Sequence, residues 1–311
     1  MITWRGSMVA FSILRRGFLH GLVLIFLLGS GISRGEEISP PLATVNKTAI
    51  QQRDVELELL ISGVKAPTPA DRDAALERVI DRTLVAAAIE SKGSDPLAED
   101  AEDLVQFIRR GIESGGDTFD NVLGKLKLTE ADIRKAALMT VHWNAHVYRT
   151  VTDREIRAYF EQHRDQFDGT QVHIRQIVRT APAGMDVPQR KEAEQLLTDL
   201  RRQIEAGQLK FADAASAHSQ SPSAKSGGDL GFVHYQGDVP APVAEAAFSL
   251  KTGQTSPVIH STVGVHLVQV IERRPGELSL EDARPAVLRA LGDQLWRETV
   301  RKLRARAKIT R

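Results

Sequence analysis

The chain of 311 residues contains no cysteine. Disulfides, thiolate metal sites and thiol redox chemistry are therefore excluded, and so is the acylated cysteine of a lipoprotein. Neither sign of charge predominates, because 41 Lys and Arg residues accompany 40 Asp and Glu residues and leave a formal net charge of +1. Without a basic excess, the composition does not indicate a nucleic-acid partner.

Signatures of several enzyme classes are also missing. The sequence has no Gly-x-Ser-x-Gly motif and no Walker loop, which argues against hydrolase and nucleotide-binding functions. His142 and His146 have the i, i+4 spacing that can hold zinc on a helix, but no glutamate of the metalloprotease motif lies between them. We interpret both histidines as surface or core residues, and we predict neither a metal nor a cofactor.

A long apolar run is present near the N-terminus. Arg15 and Arg16 precede the apolar residues 17–29, a segment shorter than the roughly 20 residues that span a bilayer. Small residues follow, which suits cleavage near position 35. We expect residues 1–35 to be a signal peptide or, if they are retained, a membrane anchor through residues 11–32. Both alternatives place the rest of the chain outside the cytoplasm, in a periplasm or an equivalent compartment.

Helix signals fill most of residues 36–167. Thr68-Pro69-Ala70-Asp71 offers an N-cap, a proline at the first helical position and an acid at the third. Capping boxes follow at residues 129–132 and 152–155. We predict a helical domain over residues 36–167. A further helix in residues 276–311 has an apolar face that we expect to pack on this domain.

Residues 168–275 have a different pattern. Residues 171–178 alternate with period two, two helical segments follow, and a glycine-dense loop at residues 226–231 precedes another helix and two β segments. This order indicates a small α+β domain. We therefore predict an α+β protein in which this domain is inserted between the helical body and the C-terminal helix.

Three motifs follow one another in the inserted domain: Ser226-Gly227-Gly228-Asp229-Leu230-Gly231-Phe232, Ala246-Ala247-Phe248-Ser249-Leu250 and Gly264-Val265-His266-Leu267-Val268-Gln269-Val270. In this order and spacing they resemble the parvulin rotamase domain. Residues 43–46, 75–82 and 155–160 are similar to the N-terminal region of exported parvulin foldases of the SurA and PrsA kind. The resemblance implies a four-stranded antiparallel sheet surrounded by helices, inserted in a SurA-like helical body, with peptidyl-prolyl cis-trans isomerase activity.

The implied reaction breaks no bond. An X-Pro amide rotates over a barrier of about 18–20 kcal/mol because it loses its resonance as it twists. Catalysis needs a site that binds the twisted amide better than the planar one. Such a site has an apolar seat for the prolyl ring and a dry, polar slot for the rotating carbonyl, and it requires no cofactor.

The resemblance places the catalytic positions of the family on His266, Ser221 and Gln176. The family has a second histidine at the position of Gln176 and a cysteine or aspartate at that of Ser221. Neither replacement titrates, although both can hydrogen-bond. His173 does not substitute for Gln176, because it lies three residues away and points to the opposite face of a strand.

The resemblance places the proline seat on Val239, Val243 and Phe248. Valines stand where the family usually has a Met or Leu and an aromatic residue, so we expect a shallower pocket. With both sets of changes, we expect slow or narrowly selective isomerisation and retained peptide binding.

Structural interpretations of the same residues remain open. His266 can be a histidine hydrogen-bonded across the sheet, Ser221 a turn residue before Pro222, and Asp229 a brace of its loop. Two functions follow. The first is an isomerase and chaperone for exported proteins, with unfolded or extended polypeptides and their X-Pro segments as partners. The alternative is a non-catalytic peptide-binding chaperone with a degenerate parvulin domain.

Overall fold

The computed structural model describes residues 40–64, 66–90, 98–181 and 187–311. The chain divides into two compact units, one combining residues before 153 with residues 288–311, the other consisting of residues 153–287. None of the described helices is long and apolar enough to cross a membrane. The predicted leader, residues 1–35 with the tether over residues 11–32, lies outside the described residues.

The first unit is mainly helical. Its elements before residue 153 are β1 (Ala43–Val45), β2 (Thr48–Ile50), α1 (Gln52–Ile61), α2 (Pro69–Glu90), α3 (Ala98–Ser114), α4 (Phe119–Leu126) and α5 (Glu130–Thr150). Helix α2 begins at Pro69 as predicted, because Thr68 and Asp71 cap it reciprocally. The Thr68 amide donates to Asp71 Oδ2 at 2.8 Å, and the Asp71 amide donates to Thr68 Oγ1 at 3.2 Å.

The second unit surrounds a sheet with helices. Its elements are α6 (Asp153–Gln162), α7 (Arg164–Phe167), β3 (Gln171–Thr180), α8 (Val187–Glu205), α9 (Phe211–His218), a 3-10 helix (Pro222–Ser226), β4 (Asp229–His234), α10 (Ala241–Ser249), β5 (Ile259–His260) and β6 (Gly264–Arg274). The strands are antiparallel in the order β4-β3-β6-β5. The predicted α+β class with a four-stranded antiparallel sheet is confirmed.

Part of the predicted glycine loop is strand β4 rather than loop. Gly228, just before it, has a φ of +79°, and a side chain there would overlap the carbonyl oxygen of Gln176. The amide of Gln176 donates to the Gly228 carbonyl at 2.9 Å. Glycine is therefore needed at residue 228 for this segment to approach β3 closely.

The two faces of the sheet pack against different helices. Ile177 and Leu267 lie on the face covered by α8 and α9. Val268 lies on the other face, in a buried cluster with Val243 and Phe248 of α10. This second face carries the candidate site.

A β-bulge in β6 changes which face its last residues occupy. Ile174 of β3 pairs with Val270, but His173 pairs with Glu272, so Ile271 is an extra residue. Because one extra residue reverses the alternation, Arg273 lies on the face of α10.

The chain from residue 288 onward belongs to the first unit. Helix α11 (Leu280–Arg304) contributes Trp296, whose ring centroid lies 4.9 Å from that of Trp143, edge to face. Strand β7 (Ile309–Thr310) then pairs with β1 to form a sheet of order β2-β1-β7. The amide of Asn46 donates to the Lys308 carbonyl at 2.7 Å.

A buried ion pair joins α1 to α2. Glu58 and Arg82 are each 1% exposed and form a salt bridge. Arg78 also donates to Glu58, and Ser62 Oγ donates to Glu58 Oε1 at 3.0 Å. Removal of one member of such a pair leaves a buried charge without its partner.

Asp54, one helical turn before Glu58, is a second buried acid of α1. Its Oδ2 accepts from the Gln51 amide at 2.7 Å and caps the helix. Burial raises the pKa of Asp54 from 3.8 to about 6, and the negative charge of Asp132 adds to this rise.

We expect Glu58→Ala to lower the free energy of unfolding by about 3–5 kcal/mol, because the buried Arg82 guanidinium then loses the carboxylate of Glu58. The double variant Glu58→Met with Arg82→Met should recover much of this loss, because it removes both charges and keeps the volume. Urea denaturation at pH 7 measures both. A double variant less stable than Glu58→Ala would contradict the account.

We expect Asp54→Asn to change how stability depends on pH. The folded chain holds an extra proton on Asp54 between the unfolded pKa of 3.8 and the folded pKa of about 6. The stability from this group is therefore present below pH 3.8 and lost as the pH rises through 6. The difference in free energy of unfolding, variant minus wild type, should therefore rise by on the order of 1–2 kcal/mol from pH 4.5 to pH 7.5. Urea denaturation at both pH values tests this, and a constant difference would contradict it.

Candidate functional site

Gln176 and His266 lie on the same face of the sheet. Gln176 is paired with Val268 across β3 and β6, and Val178 is paired with His266. Residues two apart in a strand share a face, so Gln176 and His266 are diagonal neighbours, about 7–8 Å apart at their backbones. Strand pairing alone therefore brings together two of the three predicted catalytic positions.

Ser221 joins this pair from the loop before β4. Gln176 Nε2 donates to Ser221 Oγ at 3.4 Å, and the hydroxyls of Ser221 and Ser223 lie 3.0 Å apart. Ser221 also caps the 3-10 helix by accepting from the Ser223 amide at 3.3 Å. It is thus both a turn residue and a polar neighbour of Gln176.

His266 is buried, with 2% of its surface exposed. Its Nε2 lies 2.6 Å from Ser261 Oγ, which also accepts from the Val263 amide at 3.1 Å. Its Nδ1 is buried without a hydrogen-bond partner in the described parts of the chain. Burial lowers the pKa of His266 below 6.5, so the ring is neutral at pH 7.

Ser261 was not among the predicted site residues. It lies in the short turn between β5 and β6, five residues before His266. The one available signal is a hydroxyl beside a tight hairpin, which is too common to single out a residue.

The apolar seat has buried residues beneath and partly exposed residues on its surface. Val243 and Phe248 are buried at 0% and 5% exposure, whereas Val239 is only half-buried. Leu230 and Tyr235 also pack on this cluster, and the Tyr235 ring meets the edge of Phe248 at 5.2 Å between centroids. Val239, Leu230 and Tyr235 therefore offer the accessible surface. Neither Tyr235 nor Leu230 was among the predicted site residues, although Leu230 lies in the glycine motif.

Asp229 and His173 pair with each other. Asp229 Oδ1 accepts from the Gly231 amide at 2.8 Å and lies 2.7 Å from His173 Nε2. His173 is paired with Phe232 in the sheet and does not take the place of Gln176. In the described ranges, no group of three or more His, Cys, Asp or Glu residues is arranged to hold a metal ion.

The rotamase family, described as a PPIC-type PPIase domain, matches residues 173–272. A chaperone SurA of Chromohalobacter salexigens is 30% identical over 276 residues, which cover 83% of this chain and 62% of the relative. A probable parvulin-type peptidyl-prolyl cis-trans isomerase of Bordetella bronchiseptica is 28% identical over 86% of this chain and 91% of its own length. The crystal structure of the peptidylprolyl isomerase PrsA from Bacillus anthracis aligns with a TM-score of 0.44 at 20% identity, covering 75% of this chain and 97% of that one.

We expect less than half of the His266 imidazole to be protonated at pH 6.5, because burial disfavours its charged form and lowers its pKa. Long-range 1H–15N NMR of the histidine rings measures both its pKa and its tautomer. Ser261→Ala should alter the tautomer populations, because it removes the hydroxyl at Nε2. A His266 signal that is half protonated at pH 6.5 or above would contradict the burial argument.

Proposed function

Residues 173–272 belong to the PPIC-type parvulin rotamase family, and we propose that the chain is a peptidyl-prolyl cis-trans isomerase that also acts as a chaperone for exported proteins. The observation that carries this proposal is the polar pair Gln176–Ser221 on the sheet face of His266, next to the apolar cluster under α10. Relatives named chaperone SurA and parvulin-type isomerase support it. The chain spans 62% of the length of the SurA relative.

The proline seat binds the prolyl ring, and the polar slot binds the rotating carbonyl. The prolyl ring packs on Val239, which Val243 and Phe248 support from beneath. The carbonyl before the proline then turns toward His266, Gln176 and Ser221. Donors that reach this oxygen only in the twisted amide lower the barrier, because they bind the transition state better than the ground state.

Ser261 sets the proton position on His266. Ser261 Oγ accepts from the Val263 amide and lies 2.6 Å from His266 Nε2, and we infer that the Ser261 hydroxyl donates to this nitrogen. The proton of the neutral ring then resides on Nδ1, the nitrogen without a described partner. Nδ1–H is thus the donor that a twisting carbonyl meets.

Gln176 and Ser221 make the slot polar without charge. Neither side chain titrates near neutral pH, so the site stabilises the carbonyl through neutral hydrogen bonds, which are weaker than charge-assisted ones. Turnover is therefore slow or narrowly selective.

A second candidate function is peptide holding without turnover. The observation in its favour is the 2% exposure of His266, because a carbonyl reaches this ring only after the residues that cover it move. In this case the seat and the slot bind extended chains, and no isomerisation follows.

The clients in both cases are unfolded or extended exported polypeptides, held at X-Pro segments where they have them. The protein works outside the cytoplasm, with residues 1–35 as a signal peptide or as an inner-membrane anchor through residues 11–32. Its domains are a helical body over residues 36–167, the rotamase domain over 168–275 and a C-terminal helix within 276–311.

We expect His266→Ala to lower kcat/KM for short X-Pro peptides by roughly a hundredfold, the smaller end of the effect of losing one transition-state donor. Protease-coupled isomerisation with varied X measures it. The matched control is His260→Ala, which removes an exposed histidine of the same hairpin and should retain the wild-type rate. Absence of turnover by wild type, together with suppressed aggregation of an unfolded client, would establish the second candidate.

A further inference from the structure

Arg273, seven residues beyond His266 in β6, lies at the C-terminus of α10. Its Nη2 donates to the carbonyl oxygens of Ala247 at 3.2 Å and Leu250 at 2.9 Å, and also to that of Phe248. Its Nη1 donates to Asp165 Oδ2 of α7 at 3.3 Å. One guanidinium therefore joins the end of a helix, the strand of His266 and a carboxylate.

The end of α10 needs such a partner. The last carbonyls of a helix have no donor within the helix, and many helices end with a glycine that lets the backbone supply one. Here the helix ends at Ser249, and Leu250 has an extended backbone with a φ of −86° and a ψ of 151°. Arg273 supplies the donors through the fixed fork of its side chain, and its charge suits the negative end of the helix dipole.

The position of α10 determines the shape of the proline seat. Val243 and Phe248 of α10 are buried against Val268 and Val270 of β6. The Arg273 guanidinium carbon lies 5.7 Å from the centroid of the Phe248 ring. A shift of the helix end would therefore move Phe248, and with it the Tyr235 ring that packs on its edge.

The bulge in β6 is what puts Arg273 in this place. Arg273 pairs with Val172, a member of the cluster beneath α10, whereas Arg274 pairs with Gln171. The guanidinium of Arg274 lies instead over the ring of Phe232, at 3.6 Å from its centroid. The two neighbouring arginines thus face opposite sides of the sheet, and only one of them touches α10.

We propose that Arg273 is a positioning residue that holds α10 over the sheet and thereby makes the seat selective for the five-membered prolyl ring. The inference rests on the proposed isomerase function and extends it to the choice of substrate. Arg273 does not contact the twisting amide, so its loss changes binding and ring selectivity more than the chemical step.

The test compares Arg273→Met with the matched control Arg274→Met in the full chain. NMR exchange spectroscopy gives KM and kcat for peptides that carry either proline or its six-membered analogue pipecolic acid. Arg273→Met should raise KM for the proline peptide about tenfold, with kcat within about twofold of wild type, and should narrow the preference for proline over pipecolate. Amide hydrogen exchange in α10 should accelerate in this variant, and Arg274→Met should behave as wild type.

Two further variants keep the outcome interpretable if Arg273→Met unfolds. Arg273→Lys retains a cationic donor, so it should keep part of the preference for proline over pipecolate that Arg273→Met loses. Asp165→Asn removes only the ion pair and should have a smaller effect than Arg273→Met. A folded Arg273→Met with unchanged KM, ring preference and α10 exchange would overturn the proposal.

The failure of the proposed function gives a different result. If wild type catalyses no exchange, the same peptides still report on the seat through their dissociation constants, measured by NMR titration. Preferential loss of proline-peptide binding in Arg273→Met would then support the positioning role without catalysis. Equal affinities of wild type and Arg273→Met for both peptides would overturn it.

Discussion

The antiparallel pairing of β3 with β6 is the constraint on which the second unit depends. Its register places Gln176 and His266 on one face, and its bulge returns Arg273 to that face. The close approach of Gly228 to Gln176 then brings the preceding loop, with Ser221, against β3. The polar groups of the site are thus positioned by backbone hydrogen bonds. Side-chain packing mainly shapes the apolar seat beside them.

The two units use charge differently. The first unit buries the Glu58 carboxylate together with the Arg82 guanidinium, and α1 contains a second buried acid, Asp54. The candidate site in the second unit has a neutral imidazole, an amide and hydroxyls. Acidity in the surroundings therefore acts on the stability of the helical unit through Asp54, whereas the chemistry of the site changes little until His266 takes up a proton.

Local signals in the sequence predicted most of the helices, but they indicated a loop where β4 begins, did not indicate β7 and did not reveal long-range partners. The start of α2 at Pro69 follows from a capping box of four residues, whereas the four-stranded sheet was implied by the resemblance to the rotamase domain that the glycine motif carries. Glu58 and Arg82 carry no sign of their pairing, because charged residues on helices are usually solvated. The side of the sheet on which Arg273 lies could not be predicted either. Strict alternation along β6 would place its side chain on the face opposite α10, because it ignores the extra residue of the bulge.

The pairing of β7 with β1 has a consequence for the order of folding. Residues 43–45 leave the ribosome early, yet their strand partner at residues 309–310 follows more than two hundred and fifty residues later. The second unit is continuous from residue 153 to residue 287 and has all its strands before that point. It can therefore complete its core while the first unit still exposes the surfaces that residues 288–304 of α11 and strand β7 later cover. During synthesis the helical unit is thus itself an incompletely folded chain beside a finished rotamase domain.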